Sequence, residues 1–197
     1  MEQLRVAFVS GVMPDKWARV WRERNPAIRL DLLPIDQTDQ RAVLDDGTAD
    51  MVLARLPVDL DSPAPLHCVR LYDELPVVVA GRDHVVAAVD EQDVVAPDDL
   101  VDDQLVLPHP SGWRPTADQL DFPPMTVKDA IEVAASGTGI VIVPMSVARL
   151  HHRKDVVQRV VDLPPTTVAL LWLRDADSPV HQDFVGVVRG RRASSSR

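Results

Sequence analysis

The stretch "VAASGTGIVIVP", Val133–Pro144, decides how this chain is read. Two glycines stand one residue apart, and four β-branched residues follow in a row. A phosphate-binding loop needs the order strand, glycines, helix, because the helix N-terminus supplies N–H donors and the positive end of the dipole. Here the order is reversed. In "TVKDAIEVAAS", Val127, Ala130, Ile131 and Ala134 line one helical face, and Thr126 with Asp129 three residues on resembles a capping box. The spacing predicts a helix ending at Ser136. Gly137 or Gly139 then serves as a C-cap residue with φ > 0, and "IVIVP" is a buried strand. No GxxxxGK is present, so a nucleotide enzyme loses most of its support.

The same reading extends toward the N-terminus. "LRVAFVSG" (Leu4–Gly11) is rich in strand formers. "PDKWARVWRERNP" places Trp17, Val20 and Trp21 on one face and Lys16, Arg19, Arg22 and Glu23 on the other, an amphipathic helix begun near Pro14 and stopped by Pro26. "IRLDLLPI" alternates as a strand. "TDQRAVLDDGT" reads as a short helix with Thr38 as N-cap and Gly47 past its end, and "ADMVLARLP" as a strand stopped by Pro57. The first 57 residues therefore run β-α-β-α-β, the pattern of a mostly parallel sheet covered by helices. Further on, "LDSPAPLHC" reads as a Pro-rich loop and Pro76–Ala80 as a buried strand. Asp98 begins a short helical turn, Gln104–Leu107 is a strand, "HPSGWRPTADQLDFPP" is a loop, "TTVALLWL" is a strand, and "SPVHQDFVGVVRG" is a final helix with Phe184, Val187 and Val188 inward. The fold class expected is α/β, in two units.

Composition narrows the partners. The 197 residues carry a net charge of −9. The segment Arg189–Arg197 holds four arginines and no acid, a side-chain charge of +4, which leaves −13 on the other 188 residues. An acidic body repels a phosphate backbone, so DNA is expected at most at the tail, through Arg189, Arg191 and Arg192. The reading preferred for 191–197 is a solubilising, disordered tail, with that DNA contact as the alternative. No apolar run is long enough to span a membrane, and the N-terminus has no signal-peptide pattern. With Cys68 as the single cysteine, the cytoplasm is the expected compartment.

Taken in order, these segments resemble a known family. "AASGTGIVIVPMSVAR" looks like the corresponding passage of the effector-binding (substrate-binding) domain of LysR-type transcriptional regulators. "LRVAFVSG" resembles that domain's opening strand, and "WARVWRERNPAIRLDL" its first helix, proline stop and second strand. "LDDGTADMVLARLP" resembles its helix, glycine and third strand, and "LYDELPVVVAGRDH" the strand that leads into the second lobe. The resemblance covers roughly residues 4–188. It implies a two-lobed, type 2 periplasmic-binding-protein-like fold with two crossover strands and a small effector bound between the lobes. Lobe I would be 1–76 plus 173–190 and lobe II 77–172, with hinges near Glu74–Val77 and in "TTVALLWLRD". The family's winged helix-turn-helix has no counterpart here, so a stand-alone form is expected.

Ligands of open α/β lobes bind beyond the C-terminal ends of strands. That rule points to Ser10, Gly11 and Val12 after the first strand, to Arg55 and Leu56 after the third, and to His109, Ser111 and Arg114 in the second lobe. Ser10 is the position that resembles the family's effector-facing Ser or Thr. Helix N-termini near Pro14 and Thr126 would favour a carboxylate or another anion, and Arg55 or Arg114 could pair with it. The plain alternative is that both arginines are solvated. His151-His152-Arg153-Lys154 reads as a solvated helix end, since no carboxylate or cysteine completes a metal site. No cofactor motif and no GxSxG or HExxH signature is present, so an enzyme is not expected. Trp17 and Trp21 are expected in the core, with a homodimer interface as the alternative. The expected function is effector sensing in transcription, through a LysR-type partner or the basic tail. The alternative is an enzyme on the same bilobal plan, of prephenate dehydratase or phosphoribosyltransferase type; a transport binding protein is not expected, for want of a signal-peptide pattern.

Overall fold

The computed structural model describes residues 3–190. Of these, residues 3–73 and 167–190 belong to the first unit and residues 74–166 to the second.

The first unit is built on a five-stranded sheet in the order β2-β1-β3-β9-β4. These are β1 (Gln3–Val9), β2 (Arg29–Ile35), β3 (Met51–Arg55), β4 (Leu66–Glu74) and β9 (Thr166–Leu173). β1 runs parallel to both β2 and β3, and β9 runs antiparallel to β3, with Arg55 opposite Val168. Helices α1 (Asp15–Arg24) and α5 (Pro179–Val188) cover one face; there Trp21, fully buried, meets Phe184 edge-on at 5.6 Å. Trp17 is buried in the same cluster, so both tryptophans are core residues, as expected. The other face is closed by α2 (Ala42–Asp45) and the chain that precedes β4, around Val43, Leu44, Leu66 and Leu171. A sheet covered on both faces needs apolar residues throughout its inner strands, and β3 is buried along its whole length.

The second unit holds a four-stranded sheet in the order β6-β8-β5-β7: β5 (Pro76–Gly81), β6 (Val94–Val95), β7 (Val141–Pro144) and β8 (Val156–Val161). β5 is antiparallel to β7 and β8. Helices α3 (Val127–Ala135) and α4 (Met145–Leu150) cover one face. Two 3-10 turns, Val85–Ala88 and Pro97–Leu100, cover the other.

The Val133–Pro144 stretch folds as its order dictates. Thr126 caps α3 by accepting the Asp129 N–H at 3.2 Å, and its hydroxyl donates to the Asp129 carboxylate at 2.8 Å. Gly137 takes φ +81°, the left-handed turn that ends the helix. Gly139 is needed for a different reason, since a Cβ there would lie 2.4 Å from the Gln104 carbonyl oxygen. One glycine turns the chain, and the other lets two backbones approach.

Several expectations change. Thr38 is not an N-cap: it sits inside a 3-10 turn, Gln37–Asp39, and α2 starts only at Ala42. The interruption turns Gln40 inward, where it is buried. The expected strand at Gln104–Leu107 is reduced to a single bridge, Leu105 to Ile140. Side-chain amides replace the ladder there. Gln104 bonds the main chain of Asp118 and Leu120, and Gln119 bonds that of Asp103 and Leu105. β4 begins inside the stretch read as a Pro-rich loop, directly after Pro65. β9 belongs to the first unit's sheet, paired with β3, whereas the expected 77–172 boundary put it in the second lobe.

Candidate functional site

In the first unit, β1 and β3 end side by side, and the chain beyond them forms the strand-end loops. Ser10 is exposed; Gly11 takes φ +87°, and the buried Val12 returns its N–H to the Val9 carbonyl at 3.2 Å. This tight turn delivers the chain into α1. Pro14 caps that helix without a side-chain bond, its carbonyl taking the N–H groups of Trp17 and Ala18. No side chain caps this N-terminus, and the exposed Asp15 is the one carboxylate in its first turn.

The alternative of a solvated arginine does not hold for Arg55, which is 2 % exposed. Gln40 brackets its main chain, accepting the Arg55 N–H and donating to its carbonyl, both at 3.0 Å. The Arg55 guanidinium donates to the Ser10 carbonyl at 3.2 Å and to Gln37 at 3.3 Å. Arg55 and Ser10 are thus brought together, with the arginine holding the Ser10 loop from inside. Leu56, half-buried and joined to Pro57 by a cis peptide, donates its N–H to the Thr167 carbonyl at 2.9 Å.

In the second unit, His109 is 6 % exposed. Its Nδ1 lies 2.7 Å from the Ser111 hydroxyl and accepts the Ser111 N–H at 3.3 Å. Accepting a backbone N–H at Nδ1 puts the ring proton of the neutral imidazole on Nε2. Burial lowers the His109 pKa from the ordinary histidine value, so the ring favours that neutral form. Ser111 and Arg114 are exposed. The N-terminus of α3 differs from that of α1, because Thr126 already occupies it.

The remaining candidates resolve plainly. Among the described residues, no group of three or more His, Cys, Asp or Glu side chains could hold a metal ion. In the His151–Lys154 segment, Arg153 grips Asp155 with two bonds of 2.8 and 2.9 Å, which hold that carboxyl's pKa down at about 2. Burial raises the Cys68 thiol, with Arg70 opposing it more weakly, so a reactive thiolate is disfavoured. Arg189 ends α5 and is exposed; Arg191 and Arg192 lie outside the described residues.

Sequence reading missed the start of β9. The strand-end rule looks at C-terminal ends, but an antiparallel strand brings its beginning to the same edge. With Arg55 opposite Val168, Thr167 and Thr166 stand beside Leu56 and Pro57.

A model of the LysR substrate binding domain matches residues 2–193, and the chain belongs to that family. Its fold is that of the family's effector-binding domains, periplasmic-binding-protein-like type 2. The BenM effector binding domain with its effector benzoate is 20 % identical, with a TM-score of 0.75 over 96 % of this chain and 91 % of that one. Full-length BenM is 19 % identical, with a TM-score of 0.74 over 96 % of this chain and 67 % of that one. A variant OxyR regulatory domain from Pseudomonas aeruginosa is 20 % identical, with a TM-score of 0.69 over the whole of both chains. No curated protein matches the chain. No helix among the described residues is long and apolar enough to cross a membrane.

Proposed function

We propose that this chain senses a small organic anion, most simply a carboxylate, and passes the binding event to transcription without catalysing a reaction. Family membership supports the regulatory role. The observation that carries the anionic class is the N-terminus of α1. It opens beside the exposed Ser10 and the half-buried Gly11 at the strand ends, uncapped by any side chain, while a buried arginine fixes the loop from below. Ser10–Val12 and Leu56 are the proposed ligand contacts of the first unit; Ser111, Arg114 and the Nε2–H of His109 are those of the second, each unit taken by itself. Arg55 acts as a positioning residue. The protein works as a homodimer or with a LysR-type regulator, and the arginine-rich tail from Arg189 onward is the segment proposed to meet DNA.

The test is calorimetric titration of the full chain with benzoate, the compound bound by BenM, with 3- and 4-hydroxybenzoate and with succinate. Saturable binding of at least one acid is expected. Asp15→Asn, which removes a competing negative charge from the same helix turn, should tighten it about 2- to 5-fold at low salt. No binding of any acid, or equal binding by their uncharged amides, would remove the anion reading. Duplex DNA titrated with the full chain and with a version ending at Arg189, across a salt series, tests the tail; tail-dependent binding with a steep salt slope is expected.

A further inference from the structure

The first two residues of β9 are both buried threonines, and their hydroxyls have different fates. Thr167 is fully engaged: its hydroxyl donates to Asp73 at 2.5 Å and accepts from Arg70 at 2.6 Å. Thr166, 8 % exposed, has a buried hydroxyl oxygen with no hydrogen-bond partner among the described residues. Strand pleating puts Thr166 on the face shared by Val168, Leu170 and Trp172, the face that α1 and α5 cover. All three of those neighbours are apolar, so valine at 166 would pack as well and leave no orphan. A buried hydroxyl without a partner costs free energy, and such groups call for a specific explanation.

The register supplies one. β1, β3 and β9 are adjacent strands, and the beginning of β9 lies at the same edge as the ends of β1 and β3. At about 4.8 Å per strand, Thr166 stands roughly 10 Å across the sheet from the Ser10 turn and the start of α1. We infer that the Thr166 hydroxyl is a specificity-determining contact for the effector. It reads a second oxygen, a hydroxyl or carbonyl, at the end of the molecule away from the carboxylate. This rests on the anion reading above and deepens it: the effector is an acid with two separated polar ends. A para-hydroxylated aromatic acid bridges a span of that order with one hydrogen bond of about 2.8 Å at each end.

The experiment uses the full chain, benzoate and 4-hydroxybenzoate as probes, and the variants Thr166→Val and Thr166→Ser. The wild type is expected to bind 4-hydroxybenzoate about 5- to 10-fold more tightly than benzoate, the worth of one neutral hydrogen bond. Thr166→Val should bring that ratio to about one while leaving benzoate affinity unchanged, and Thr166→Ser should keep it. A second measurement needs no ligand: Thr166→Val should melt at or above the wild-type temperature. A clear fall in its melting temperature would show that the hydroxyl is already partnered in the resting protein, and would overturn the inference. A wild-type ratio of one, or a ratio that survives Thr166→Val, would overturn it while leaving acid binding intact. Failure of the wild type to bind either acid overturns the anion reading and this inference with it.

Discussion

His109 shows how one buried residue couples folding to pH. Burial depresses its pKa in the folded protein, whereas the unfolded chain keeps the ordinary value near 6.5. Below that value the unfolded state binds the proton more readily than the folded one. The stability contributed by neutral His109 is therefore complete above about pH 6.5 and is lost as pH falls through the folded pKa. Comparing melting temperatures of wild type and His109→Gln from pH 8 to pH 5 should show the wild type losing ground faster toward acid; parallel curves would refute this. Gln40 makes a similar argument for hydrogen bonding. It satisfies both main-chain groups of Arg55. Gln40→Leu keeps the bulk but strands two buried polar groups, and should cost about 1–3 kcal/mol in urea unfolding. The loss should come with weaker acid binding, since Arg55 holds the Ser10 carbonyl. Neither role was legible in the sequence. The strand-end rule points to Arg55 and His109, but burial and partners depend on residues elsewhere in the chain, such as Gln37 and Gln40 for Arg55.

At the scale of elements, the two glycines separate by mechanism. Gly137→Ala forces an L-residue into a left-handed turn and should cost about 1 kcal/mol. Gly139→Ala drives a Cβ into the backbone of Gln104, where no flexible side chain can yield, and should cost about 3 kcal/mol. Equilibrium unfolding of the two variants checks the order, and equal losses would contradict it. The helix, cap, glycine and strand of Val133–Pro144 were legible because each is a local decision: a periodicity, a capping pair, a breaker. So was the β-α-β-α-β opening, whose elements alternate cleanly. β8 was not, because Gln158 and Arg159 interrupt its apolar run. The amide of Gln158 bonds the Ala148 carbonyl and the guanidinium of Arg159 the Val89 carbonyl, pairings fixed only by the fold. Gln104–Leu107 failed in the opposite sense. Its composition suits a strand, but the side chain of Gln119 from the following loop takes bonds a ladder would have used.

For the whole molecule, the informative fact is that the chain leaves the first unit after Asp73 and returns at Thr167. Trp17, Trp21 and Trp172 all belong to that first unit, so tryptophan emission reports mainly on it. Phe184→Ala, which empties the place beside Trp21, should cost about 3–5 kcal/mol in that unit's unfolding. It should leave hydrogen-exchange protection of β5 and β7 largely intact. Loss of protection throughout would mean that the units do not unfold separately. The interrupted chain also bears on how the protein is made. β3 has an unpaired side in its sheet until its partner β9 has emerged, about 110 residues later. At about 5–20 residues per second on the ribosome, that is a wait of roughly 5–20 s. During synthesis the second unit can therefore finish folding first, while the largely apolar nascent β3 keeps one side open. Chaperone demand, rather than intrinsic instability, would then set the yield of this protein in a cell.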